Sequence, residues 1–305
     1  MHHNHVTKRG FVVPTTTPFG RDGSIDVHAL VDQCLFLREY GAAGIFLFGT
    51  TGEFLYLDSE ERMSAAEAVI QRLGDSCPVI VHTGANTTRV AIALGRAATD
   101  SGATAIAAVT PFYSAMDSGE VSQFYADIAA ACPAVSFLPY NIADNARNAL
   151  EPDAFATLAA HHPSIRGAKL TTASLTWFQH FVDSGPGLDM YIGNDALILP
   201  ALTVGAWGSV SSNAIVFPEI FARLFSAVEK NDLVAAQGWQ RRARRLTEML
   251  QQHRSLSRIK CALRLRGLAG GAVRAPMQEI GGAEEKRLVQ NLRLFADEAQ
   301  IDMRA

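Results

Sequence analysis

The chain has 305 residues, 48% hydrophobic and 19% charged, with 27 Lys+Arg against 30 Asp+Glu and a formal charge of −3. That balance gives no bulk electrostatic case for nucleic acid or an anionic membrane. No apolar run reaches the roughly 18 residues of a membrane helix, and Met1–Gly10 lacks the apolar stretch of a signal peptide. Cys34, Cys77, Cys132 and Cys261 lie far apart with no CxxC pair, the pattern of reduced thiols in a cytoplasmic protein.

Short apolar runs rich in β-branched residues fill the first two-thirds of the chain. In order they are Phe11–Thr17, Gly44–Phe48, Pro78–Thr83, Ala105–Thr110, Ala134–Tyr140, Ile165–Leu170, Leu188–Ile192 and Gly208–Ser212. Runs apolar on both faces suit a parallel sheet covered by helices. Helical patterns lie between them at Asp26–Tyr40, Asp58–Leu73, Thr87–Ser101, Gly119–Ala131 and Pro152–Ala160. Asp58 with Glu61 makes a capping box, and Gly74 stops that helix. Eight strands alternating with helices predict a (β/α)8 TIM barrel. A doubly wound sheet would carry a Gly-rich phosphate turn after its first strand, and Pro14-Thr-Thr-Thr-Pro18 stands there instead.

From Pro218 the pattern is helix after helix: Pro218–Lys230, Leu233–His253, Leu256–Arg266 and Glu284–Gln300. The expected division is a catalytic barrel over residues 1–224 and a C-terminal helical extension over 225–305 that packs on it. Gln240–Arg245 holds four arginines, an exposed helix face or an anion site. His2, His3 and His5 are an incidental or metal-binding tail at a free terminus.

The basic residues divide unevenly into 22 arginines and five lysines: Lys8, Lys169, Lys230, Lys260 and Lys286. Between Lys8 and Lys230 the single lysine is Lys169, inside the sixth apolar strand. An ammonium pointing into a barrel is costly unless paired, or its pKa falls. The neutral amine so favoured is a Schiff-base nucleophile, which arginine cannot replace. The alternative is a strand-end lysine that reaches water or pairs with a carboxylate. Barrel active sites sit at the C-terminal strand ends, which here carry Gly49-Thr50-Thr51-Gly52-Glu53, Tyr113, Tyr140, Gly193-Asn-Asp195 and Val210. A strand-end tyrosine can move protons, and a Gly-bracketed hydroxyl turn can hold a carboxylate. Each of these motifs, taken singly, also has a plain packing role. Neither a zinc-type HxxxH helix nor a G-x-S-x-G elbow is present.

Taken in order, Gly49-Thr-Thr-Gly-Glu53 followed by Asp58-Ser-Glu-Glu-Arg62, Thr110-Pro-Phe-Tyr113, Tyr140-Asn141, Gly167-Ala-Lys169, Gly193-Asn-Asp195 and Gly205-Ala-Trp-Gly-Ser-Val-Ser211 resemble one family. It is that of the pyruvate-dependent class I aldolases typified by dihydrodipicolinate synthase and N-acetylneuraminate lyase. The resemblance implies an imine between Lys169 and a 2-oxo acid such as pyruvate, with Tyr140 moving protons. It also implies Thr50 and Thr51 on the substrate carboxylate, and Val210 contacting it through backbone. Tyr113 would complete the relay across a dimer interface of a homotetramer, and Thr171, Gly193 and Asp195 would bind substrate. No metal or organic cofactor is implied.

The specificity positions depart from the synthase pattern. Asn145 stands where an arginine is expected, with Arg147 two residues on, and Leu170 replaces a glutamate. Thr171 and His82 are lyase-like, whereas Ala196 replaces the glutamate of a sialate lyase. The resemblance thus implies an aldolase or dehydratase acting on pyruvate or a 2-keto-3-deoxy acid, with an aldehyde or sugar acid as the other reactant. A dihydrodipicolinate-forming synthase and a non-catalytic 2-oxo-acid-binding paralogue are the alternatives.

Overall fold

In the computed structural model, which describes residues 5–253 and 255–303, the apolar runs become parallel strands. They are β1 (Gly10–Pro14), β2 (Gly44–Leu47), β3 (Val79–His82), β4 (Ala105–Val109), β5 (Ser136–Asn141), β6 (Gly167–Leu170), β7 (Asp189–Ile192) and β8 (Gly208–Val210). Among the described residues these eight form a closed barrel in sequence order, with β1 paired to both β2 and β8. The predicted TIM barrel is observed.

Alternation along each strand divides the core in two. Val12, Phe46, Ile80, Ala107, Leu138, Tyr191 and Val210 point inward and pack on one another. Their neighbours Val13, Ile45, Val81, Ala108, Phe137 and Ile192 point outward against the helices. Alanines at 105 and 107 face bulkier residues such as Phe46 and Tyr191, so the interior fills by pairing small with large.

The outer layer comprises α1 (Val27–Glu39), α2 (Ser59–Leu73), α3 (Thr88–Asp100), α4 (Ser118–Ala131), a short α5 (Ala143–Ala146), α6 (Pro152–His161), α7 (Leu175–Ser184), α8 (Ile198–Thr203) and α9 (Pro218–Glu229). The capping box at Asp58 and Glu61 forms as the sequence predicts, and a second one joins Asp117 to Glu120. Besides the four-residue α5, the sequence pattern misses α7 and α8. Helix α7 carries an apolar stripe of Leu175, Phe178, Phe181 and Val182 that the sequence reading passes over, and α8 is six residues with Pro200 inside, too short to show one.

After residue 224, which falls within α9, come α10 (Leu233–Leu250), α11 (Ser255–Arg264) and α12 (Gly282–Ala299). The arginine run lies on α10, and three of its four side chains are engaged locally. Arg242 stacks on Trp239, and Arg244 and Arg245 pair with Glu248 and Glu298.

Of the N-terminal histidines, His2 and His3 lie outside the described residues. His5 is no loose tail: it stacks on Trp207 with ring centroids 3.7 Å apart, and its Nδ1 lies 2.5 Å from Asp189 Oδ1. The Val6 N–H donates to Asp189 Oδ2, and the Val6 side chain enters the interior cluster. Asp189 opens β7, so this segment closes the barrel at its N-terminal end.

Candidate active site

The opposite mouth of the barrel holds a cavity of about 330 Å³. Lys169, Tyr140, Thr50, Thr51, Thr171, Gly193 and Val210 line it, so the structure brings together seven residues singled out from sequence.

Lys169 is placed by strand alternation. Ala168 and Leu170 face the helices, which turns Lys169 inward. Its residue is 5% exposed. Tyr140 is its cross-strand partner on β5. Lys169 Nζ lies 3.9 Å from the centre of the Tyr140 ring and 4.4 Å from that of Phe46. Burial pushes the ammonium pKa below its ordinary value, against opposing contributions from Tyr140 and Asp195. Tyr140 hydroxyl and Thr50 Oγ1 are 3.4 Å apart, the first link of a hydroxyl path from the lysine toward the GTTG turn.

That turn is short and bent. Phe48 and Glu53, which bracket it, both have left-handed backbone (φ 56° and 59°). Such conformations persist in bulky residues only where surroundings impose them. Thr17 Oγ1 holds the Gly52 carbonyl at 2.7 Å, and the Glu53 N–H donates to the Thr50 carbonyl. Thr50 and Thr51 thereby face the cavity from the end of β2.

Two residues selected from sequence lie outside the cavity. Asp195 is buried behind it, with Oδ1 accepting from Ser211 Oγ at 2.5 Å and Oδ2 from Asn213 Nδ2 at 2.6 Å. Both oxygens are committed to the segment that follows β8. Burial pushes this carboxyl up to about 6. Tyr113 is 86% exposed with φ 76°, so this chain does not bring it to Lys169. Its loop is braced nonetheless: Asn148 Nδ2 donates to the Pro111 and Ser114 carbonyls, and Asn86 Oδ1 accepts from the Phe112 N–H.

Asn145 lines the cavity, whereas Arg147 is exposed and directs its guanidinium at the Tyr113 carbonyl, 3.5 Å away. His82 sits inside the barrel against Phe54, Phe46 and Tyr140. Burial and the charges of Arg62 and Lys169 hold its pKa well below the ordinary range, so it is a neutral packing and hydrogen-bonding residue. Its Nε2 accepts from the Val109 N–H.

Sequence reading missed the wall built by the C-terminal extension. Gln251, Ser255, Leu256 and Ile259 complete the cavity, and Gln251 Nε2 donates to Ser212 Oγ at 2.7 Å. Cavity-facing residues at 255, 256 and 259 follow helical spacing, but only the closed barrel shows what that face covers. Among the described residues no group of three or more His, Cys, Asp or Glu is arranged to hold a metal ion.

Comparison with known proteins agrees with this geometry. Residues 7–294 match the model of the dihydrodipicolinate synthetase family. An uncharacterized DapA-like lyase of Halobacterium salinarum is 31% identical over 93% of this chain and 92% of its own length. A 4-hydroxy-tetrahydrodipicolinate synthase of Methanopyrus kandleri is 33% identical over 88% of this chain and 90% of its own. Among solved structures, a catalytic-lysine mutant of the Ruminococcus gnavus sialic acid aldolase superposes with a TM-score of 0.91, covering 96% of this chain and 97% of that one at 23% identity. The chain belongs to the dihydrodipicolinate synthetase family and is a lyase of the class I aldolase type.

Proposed function

We propose that Lys169 forms an imine with the keto carbon of pyruvate or a 2-keto-3-deoxy acid, and that the enzyme makes or breaks a bond at the carbon beyond. The observation that carries this reading is the buried amine of Lys169, set against aromatic rings and beside the Tyr140 hydroxyl. In this reading the neutral amine adds to the carbonyl, and Tyr140 delivers a proton to the carbinolamine oxygen, which leaves as water. The iminium then draws electrons from the neighbouring carbon, giving an enamine. That enamine can attack an aldehyde, arise by retro-aldol cleavage, or expel a β-hydroxyl. The iminium is the electron sink, so the chemistry needs no metal or organic cofactor.

Thr50 and Thr51 would hold the substrate carboxylate, with the Val210 backbone at its other side. Asp195 would act behind them by fixing Ser211 and Asn213. The remaining lining favours a neutral or hydroxylated second reactant over one with its own carboxylate. Asn145, Thr171, Ser212 and Gln251 are polar and uncharged, and Arg147 is turned away. Tyr113, strained and exposed, would serve a second protomer in a dimer of dimers. Four buried free cysteines suit a reducing, cytoplasmic setting.

Borohydride reduction in the presence of pyruvate, followed by peptide mapping, tests the reading. The expected adduct is on Lys169; absence of an adduct, or its persistence in Lys169→Ala, overturns it. Screening 2-oxo acids with neutral and carboxylated aldehydes then identifies the reaction. Preference for aspartate semialdehyde would identify a 4-hydroxy-tetrahydrodipicolinate synthase, the activity named for the Methanopyrus relative.

A further inference from the structure

A second lysine is fully buried, and the proposed chemistry does not use it. Lys260, on α11, donates from Nζ to the Thr17 carbonyl at 2.7 Å and the Ala272 carbonyl at 2.6 Å, and forms an ion pair with Glu53 Oε1. Both side chains of that pair are completely enclosed. Glu53 is the last residue of the GTTGE turn, and its Oε2 accepts from the Arg274 N–H at 3.4 Å. The Arg274 guanidinium in turn bonds Glu61 and the Tyr56 carbonyl.

The position of this pair relates two walls of the cavity. Glu53 ends the turn that presents Thr50 and Thr51. Lys260 follows directly on Ile259, which lines the cavity together with Ser255 and Leu256 of the same helix. One ion pair therefore ties the hydroxyl turn to the helical wall facing it. Glu53 itself sits in left-handed backbone (φ 59°), a conformation that persists in a bulky residue only where its surroundings impose it. The Thr17 carbonyl that Lys260 grips belongs to the residue whose hydroxyl holds Gly52, so the two restraints act on the same turn.

We infer that Lys260 and Glu53 form a positioning pair that sets Thr50 and Thr51 at the spacing needed to bind the substrate carboxylate. The inference rests on the imine reading above. Lys260 touches no reacting atom, so its loss should weaken 2-oxo acid binding more than it slows the chemistry of bound substrate.

The experiment measures borohydride trapping against pyruvate concentration for the wild type, Lys260→Met, Glu53→Gln and the double variant. Lys260→Met should raise the half-saturating pyruvate concentration roughly tenfold or more, while the rate at saturation stays within about threefold. Glu53→Gln, which keeps an acceptor for Lys260, should shift half-saturation in the same direction by less. Adding Glu53→Gln to Lys260→Met should recover part of the loss, because no carboxylate is then buried without its cation. Thermal unfolding of each variant gives the control for plain structural damage. Lower melting temperatures with unchanged half-saturation would overturn the inference and leave the imine reading intact. If Lys260→Met fails to fold, Glu53→Gln alone decides by the same criterion. A wild-type protein that forms no adduct overturns both.

Discussion

Lys169 and Tyr140 face each other across the β5–β6 pair, with the lysine Nζ 3.9 Å from the tyrosine ring centre. Strand register, not loop geometry, fixes that relationship, so each side chain can be altered without moving the other. Lys169→Arg should abolish adduct formation, because a guanidinium stays protonated and cannot form the imine. Tyr140→Phe keeps the ring beside Nζ and removes only the hydroxyl that approaches Thr50. Turnover should fall by about 10²-fold or more, the usual share of a positioned acid–base group. Steady-state kinetics beside borohydride trapping will check both, and a Tyr140→Phe enzyme of near-normal turnover would remove the tyrosine from the proton path.

Gly193 meets Thr171 at the side of the cavity. A Cβ at residue 193 would overlap Thr171 Oγ1, so only glycine lets the β7 end approach the β6 end this closely. Gly193→Ala should push Thr171 into the space available to the second reactant. The specificity constant for the aldehyde or sugar-acid partner should drop by on the order of 10-fold or more, with pyruvate trapping on Lys169 affected less. Equal losses for both substrates would show that Thr171 is not at the second-reactant end.

The barrel and the nucleophile were legible in the chain because local rules produce them. Doubly apolar runs need cover on two faces, and an alternating strand must send Lys169 inward if Ala168 and Leu170 go outward. The site's far wall was not legible, since Gln251, at the end of α10, and Leu256 and Ile259, on α11, reach the cavity only through tertiary packing of the two helices. Lys260 was visible as a lysine flanked by Ile259, Cys261 and Ala262, on a helix with basic residues elsewhere. Its partner Glu53 stands more than 200 residues earlier, and no periodicity links them. His5 misled for a related reason: nothing local shows that Asp189 and Trp207 wait at the barrel's closed end.

That closed end makes its own prediction. His5 caps the nearly fully buried Asp189 carboxylate, whose remaining partners are the Val6 N–H and Tyr191. The histidine side chain is 37% exposed, which limits the cost of losing it. His5→Ala should therefore destabilise the protein by about 1–2 kcal/mol through the lost charge-assisted bond and the stacking on Trp207. Urea denaturation at neutral pH measures this, with trapping on Lys169 at the opposite end expected to be unchanged. A His5→Ala protein as stable as wild type would show that Val6 alone closes the barrel.

Asp195 lies at the active end, and burial raises its carboxyl to about 6 from an ordinary 3.8. The sign of the consequence is opposite to that of a salt-bridged carboxylate. Between pH 4 and 6 the folded state binds this proton more tightly than the unfolded chain does. Stability from this group is therefore complete below about pH 4 and is lost as pH rises toward 6. The two-unit difference corresponds to on the order of 3 kcal/mol. Asp195→Asn cannot ionise, and its amide can still meet Ser211 and Asn213. The variant should thus gain stability relative to wild type as pH increases from 4 to 7, by up to that amount. Denaturation curves at pH 4, 5, 6 and 7 check the slope, because other titrating groups cancel in the difference. Parallel curves across that range would mean that Asp195 keeps an ordinary carboxylate pKa despite its burial, and that the bonds from Ser211 and Asn213 offset the whole desolvation cost.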